Sequence, residues 1–213
     1  MRTRRATKMA TSAAAFGCRT VRLAPPFYFK GVGDEGLLRW FALVLEALQR
    51  RGQQAILYHI PSVTAVALSQ DLIGRLKARY PGTVIGVKDS SGDWSYARVL
   101  ISLDQDLAIL IGDERRRAEA ARLGAGGAIS GLANFVPELL LASVASGHED
   151  VRAAQVVSEI LRYPVVPAVK ELCTHQSGDD AWRAVAPTLA PLNPTQATRL
   201  CAAFDLSMAG VPA

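Results

Sequence analysis

The chain has 213 residues, enough for a sizeable core, with half of them hydrophobic and a fifth charged, which is the make-up of an ordinary soluble protein. No apolar run nears the ~20 residues of a membrane span, and Cys18, Cys173 and Cys201 form neither a CxxC pair nor a disulfide framework, which suits a reducing cytoplasm. The net charge of +5 is local: seven of the 24 basic residues (Arg2, Arg4, Arg5, Lys8, Arg19, Arg22, Lys30) lie in residues 1–30, which hold no acid, leaving 17 basic against 19 acidic elsewhere and no basic face for nucleic acid.

In chain order, Arg4–Phe16 reads as a helix stopped by Gly17. The acid-free, Arg-, Ser- and Thr-rich stretch Met1–Thr20 also suits an organellar transit peptide, but a strand-like run, Thr20–Leu23, follows at once and favours the helix. Further apolar or β-branched runs at Ala55–Tyr58, Thr83–Val87, Leu107–Ile111 and Ala128–Ser130 read as buried parallel strands. Between them lie amphipathic helices. Leu37, Leu38, Phe41, Val44, Leu45 and Leu48 repeat at helical spacing before Gly52; Ser69 can cap a helix with the inner stripe Leu72, Ile73 and Leu76; Trp94–Leu103 and Glu114–Leu123 follow the next two strands. Pro137 opens a helix reaching Ser146. Glu149–Arg162 and Lys170–Cys173 look helical, with Pro164 and Pro167 as breakers between them, and a Pro-rich tail ends in a helix near Gln196–Phe204.

The alternation indicates a parallel α/β fold. Five strands are visible where a closed (β/α)₈ barrel needs eight. An open sheet and a barrel lacking its first three units both satisfy that count. Residues 1–147 are taken as a partial barrel and 148–213 as a C-terminal helical extension.

Four segments follow strands and carry polar groups. In Gly86-Val87-Lys88-Asp89-Ser90-Ser91-Gly92-Asp93 an apolar strand delivers a lysine at its C-terminal end, the active-site face of α/β barrels. Desolvation there favours the neutral amine that attacks a ketone. The plainer alternative is a lysine salt-bridged to Asp89. In Tyr58-His59-Ile60-Pro61-Ser62-Val63-Thr64, a phenol at the rim can pass protons to and from a substrate, while His59 should point the opposite way and be structural. Pro25-Pro26-Phe27-Tyr28-Phe29-Lys30-Gly31 is core packing, a site or a subunit interface. Gly127-Ala128-Ile129-Ser130-Gly131-Leu132-Ala133-Asn134 and Gly112-Asp113 offer small residues for close backbone approach. His59, His148 and His175 lack ligand-like spacing, and no Walker loop, GxGxxG or GxSxG is present, so neither metal nor cofactor is expected.

Together these segments resemble the dihydrodipicolinate synthase / N-acetylneuraminate lyase family of class I, pyruvate-type aldolases, from about Gly17 to Pro194. Gly86–Asp93 is similar to its Schiff-base motif, Tyr58-x-x-Pro61-x-x-Thr64 to its catalytic tyrosine motif, Pro26-Phe27-Tyr28 to the turn whose tyrosine reaches a neighbouring subunit's site, and Ile129-Ser130 to the last barrel strand. The resemblance implies a TIM (β/α)₈ barrel, incomplete here, with a helical extension, assembled as dimers or tetramers. It implies catalytic Lys88, Tyr58 and Tyr28, with Pro61, Thr64 and Ile129 at the substrate. It implies a cytoplasmic lyase acting on pyruvate or another 2-oxo acid, joining it to or releasing it from an aldehyde.

Two departures stand out. The family's first three β/α units, with the Gly-Gly-Thr-Thr-Gly-Glu type loop that holds the keto acid's carboxylate, have no counterpart here, so a truncated, inactive member or an interaction protein is the alternative. Val63 stands where true dihydrodipicolinate synthases carry an arginine, which argues against aspartate semialdehyde as the second substrate.

Overall fold

The computed structural model describes residues 3–210; Met1 and Arg2 of the basic N-terminal segment and Val211–Ala213 of the expected C-terminal extension lie outside them. Two compact units are present, Met1–Gly112 with Leu123–Ala128, and Asp113–Arg122 with Ile129–Ala213.

The first unit opens with α1 (Thr3–Ser12), which tightens into a 3₁₀ turn over Ala13–Phe16. Gly17, at φ 79°, ends it in the left-handed conformation that glycine adopts without steric cost. Then strands and helices alternate: β1 (Thr20–Leu23), α2 (Asp34–Gln49), β2 (Gln54–His59), the single turn α3 (Pro61–Thr64), α4 (Gln70–Arg79), β3 (Val84–Asp89), α5 (Trp94–Leu103), β4 (Ala108–Ile111) and β5 (Gly127–Ala128). All strand pairs are parallel, in the order β1-β2-β3-β4-β5. A doubly wound sheet reverses its strand order at a switch point. No reversal occurs here, so the five β/α units follow one another as in a barrel wall.

Register divides the sheet into two faces. One row runs Leu23, Leu57, Val87, Ile109 and another brings His59, Asp89 and Ile111 alongside. Ala55 and Val84 join this face, and all of these residues are buried. Above them pack the apolar stripes of α2 (Leu37, Phe41, Val44, Leu45, Leu48), α4 (Leu72, Ile73, Leu76) and α5 (Ala97, Leu100). Each such side chain contributes roughly 1.5–3 kcal/mol on burial. The other face carries Arg22, Ile56, Gly86 and Ala108 in one row and Tyr58, Lys88, Leu110 and Gly127 in the next. Arg22 and Ala108 are exposed there, and Ile56, Tyr58 and Leu110 are half-buried.

Several expected boundaries move. β3 runs to Asp89, because Lys88 and Asp89 pair with Tyr58 and His59 on one side and with Leu110 and Ile111 on the other; Lys88 therefore lies within the strand rather than after it. β5 stops at Ala128, and Ser130 lies in the following turn: its Oγ donates to Glu114 Oε1 at 2.6 Å and accepts from the Leu132 N–H.

The second unit is helical. The helix expected at Glu114–Leu123 divides into a 3₁₀ turn, Glu114–Arg116, and α6 (Arg117–Arg122). α7 (Pro137–Ser146), α8 (Val151–Ile160), α9 (Val165–Ser177) and α10 (Pro194–Met208) follow. Pro167 does not break a helix. It sits in the first turn of α9, where a missing N–H leaves no intrahelical bond unmade. Asn193 and Gln196 close a capping box at the start of α10. Leu139, Val156, Ile160, Leu172, Leu200 and Phe204 are among the residues of the core, and Phe135 meets Phe204 edge to face at 5.8 Å.

Candidate active site

Tyr58 and Lys88 are register partners near the C-terminal ends of β2 and β3. They share one sheet face, so their side chains leave neighbouring strands about 5 Å apart. Lys88 is only 5 % exposed. Tyr58 is half-buried, and the Arg22 guanidinium lies over its ring, 4.5 Å from the centroid. The inner face thus presents guanidinium, phenol and amine on three successive strands. None of the strand residues in these two rows is acidic.

The opposite face orients the same strands. His59 is buried, its Nδ1 accepts the Leu68 N–H at 3.0 Å, and its ring stacks on Tyr96 at 4.3 Å. Burial lowers its pKa to about 4 against the pull of Asp93, so the ring is neutral at physiological pH, and the Nδ1 bond leaves its proton on Nε2. Tyr96 anchors the same loop by donating to the Leu68 carbonyl at 2.5 Å, and burial pushes its phenol well above the usual range. Asp89 also faces this side. Burial raises its pKa, and its Oδ1 accepts the Ser91 N–H at 3.0 Å, shaping the turn after β3.

The other expected site residues are placed as follows. Pro61 opens α3 directly after β2. Thr64 is buried; its hydroxyl lies 3.0 Å from the Ile60 and Val66 carbonyls and accepts the Val66 N–H, so it organises that turn. Tyr28 is 76 % exposed, between exposed Phe27 and Phe29. Ile129 is exposed, in the second unit. Val63 is exposed and brings no charge after β2. One neighbour of the pair escapes the sequence reading: Arg22, counted only among N-terminal charges. Gly112, expected to allow a close backbone approach, lies against β3 near the Asp89 carbonyl and the Lys88 amine. Among the described residues no group of three or more His, Cys, Asp or Glu could hold a metal ion, and no helix is long and apolar enough to cross a membrane.

A buried amine beside a phenol at the C-terminal ends of parallel strands can form an iminium and move protons next to it. Comparison with known proteins identifies the family. A sequence model of the dihydrodipicolinate synthetase family matches residues 1–174. The chain belongs to this family. An uncharacterized DapA-like lyase of Chloroflexus aurantiacus is 34 % identical over 209 residues, covering 95 % of this chain and 69 % of the relative. The 4-hydroxy-tetrahydrodipicolinate synthase of Marinobacter nauticus is 34 % identical over 155 residues, and the match spans 70 % of this chain and about half (51 %) of that family member. The crystal structure of dihydrodipicolinate synthase from Agrobacterium tumefaciens superposes with a TM-score of 0.91 at 45 % identity, covering 95 % of this chain and 71 % of that one. The fold is thus that of the family's TIM-type barrel, with five of its parallel strands and a helical C-terminal region present.

Proposed function

We propose that the protein is a Schiff-base-forming lyase or aldolase acting on pyruvate or another 2-oxo acid. The observation that carries this is the pairing of Lys88 with Tyr58 on one sheet face. The Lys88 amine adds to the ketone carbon, and loss of water leaves an iminium. The iminium withdraws electrons, so the neighbouring carbon loses a proton to give an enamine. That carbon then adds to an aldehyde, or in reverse a C–C bond breaks and the aldehyde departs. Tyr58 passes the protons. Val63, exposed and uncharged, supports a reaction other than that of a true dihydrodipicolinate synthase. Pro61 and Thr64 shape the rim, and Tyr28 serves a neighbouring copy in a cytoplasmic homo-oligomer, a dimer or tetramer.

The test is borohydride reduction in the presence of pyruvate, followed by peptide mass mapping. A reduced adduct on Lys88, absent from Lys88→Ala, is the expected result. An unmodified Lys88 would sink the proposal. A second reading, a family member that keeps these residues without turnover, is favoured by the exposure of Arg22 and Ala108 on the same face as Lys88. It predicts no aldehyde consumption even where the adduct forms.

A further inference from the structure

We propose that Arg22 is a specificity-determining residue that holds a second anionic group, carboxylate or phosphate, at the far end of the 2-oxo acid bound by Lys88. This goes beyond the proposed function, and it rests on Lys88 being the residue that binds the keto group.

The argument is one of charge and reach. Arg22 is exposed on β1, pairs in register with Ile56, and shares the face of Tyr58 and Lys88. Its guanidinium carbon lies over the Tyr58 ring, 4.5 Å from the centroid, a cation–π contact that keeps the charge beside the phenol. None of the ion pairs of the described residues involves Arg22. The two rows of this face hold Ile56, Gly86, Ala108, Leu110 and Gly127 besides the three polar residues, so no carboxylate there competes for the guanidinium. An arginine in this setting presents a planar fork of donors suited to an oxyanion.

The spacing selects the class of ligand. β1 and β3 are two strand spacings apart, about 10 Å, and the Arg22 guanidinium leans over the Tyr58 ring on the strand between them, which shortens the span towards the Lys88 amine. Once a keto carbon is bonded to the Lys88 amine, its own carboxylate is directly attached and stays near β3. The methyl group of pyruvate does not bridge the phenol to reach Arg22. A tail of two or three carbons ending in an anion does, running across the Tyr58 hydroxyl, where protons must move. Substrates with such a tail gain a charge-assisted hydrogen bond that pyruvate and neutral-tailed acids lack.

The experiment measures binding by calorimetry to the whole chain, which needs no turnover. The probes are 2-oxoglutarate, its distal phosphonate counterpart, pyruvate, and 2-oxopentanoate as the neutral-tailed control. Wild type should bind the two dianions about ten- to hundred-fold more tightly than 2-oxopentanoate. Arg22→Gln should abolish that preference; Arg22→Lys should retain part of it. A stronger response to the carboxylate or to the phosphonate names which anion the site prefers. Equal binding of charged and neutral tails by wild type, or an unchanged preference in Arg22→Gln, overturns the inference. Borohydride trapping of pyruvate on Lys88, run on the same samples, fails only if the Schiff-base reading itself is wrong. Circular dichroism of both variants confirms that the fold is intact.

Discussion

Gly112 leaves the space that the Lys88 amine occupies: a β-carbon at position 112 would lie 2.8 Å from Nζ, 2.5 Å from the Ser90 Oγ and 2.6 Å from the Asp89 carbonyl oxygen. The lysine tip and the serine could swing aside. The backbone oxygen could not. Gly112→Ala should therefore push β3 and β4 apart locally at a cost of about 1–3 kcal/mol. It should slow adduct formation on Lys88 at least about ten-fold, since misplaced reacting groups lose orientation as well as space. Stopped borohydride trapping, read against urea unfolding of the same variant, checks both effects.

Removing the Tyr58 hydroxyl separates binding from proton movement. Tyr58→Phe keeps the ring under Arg22 and the packing on the sheet. The pyruvate adduct on Lys88 should still be trappable, while exchange of the pyruvate methyl protons with solvent should slow by about 10²–10⁴. Proton NMR in deuterated water follows that exchange directly. Unchanged exchange would remove Tyr58 from the mechanism.

The buried imidazole of His59 makes folding sensitive to acid. Its pKa falls from the ordinary 6.5 to about 4 in the folded chain, chiefly through burial. The unfolded chain therefore binds the proton first on acidification. The stability tied to neutral His59 is complete above pH 6.5 and is lost as the pH falls towards about 4, by roughly 3 kcal/mol in all. Asp89 acts in the opposite sense, because its pKa is raised by burial and its folded form favours the proton. Comparison with His59→Asn, which keeps an acceptor for the Leu68 N–H, isolates the histidine. Melting temperature against pH should flatten between 4 and 6.5 in the variant.

Ser69 ties two helices together. Its Oγ accepts the Leu72 N–H at 3.0 Å as the N-cap of α4 and donates to the Asp34 carboxylate in the first turn of α2. Ser69→Ala removes both bonds and should cost about 1–2 kcal/mol in urea unfolding. A loss indistinguishable from zero would show that water replaces the hydroxyl at both partners.

What the sequence revealed followed from chemistry that is local along the chain. Lys88 and Tyr58 stood out because each ends a continuous apolar run and precedes a polar turn, and strand-then-turn is readable from neighbours alone. The alternation of Tyr58 and His59 across β2 was legible for the same reason. Arg22 was not, because its meaning depends on β1 lying beside β2 in a given register, which no residue in Thr20–Leu23 announces. Gly112 was legible as a place of close approach, but not its partner, since the carbonyl it spares belongs to another strand. Ser130 misled, because Ala128-Ile129-Ser130 has strand composition while the serine hydroxyl is engaged by Glu114. Pro167 misled for a positional reason: proline ends a helix in its interior and opens one in its first turn.

The two sheet faces also differ in what a substitution there would disturb. Leu57, Val87 and Ile109 are locked between strands and helices, so exchanging them changes whether the chain folds. Arg22 is exposed on the opposite face and lies on the Tyr58 ring outside that layer, so exchanging it leaves the hydrophobic layer as it was. Substitutions on that face can thus be made without renegotiating the architecture that holds the Lys88 amine in place.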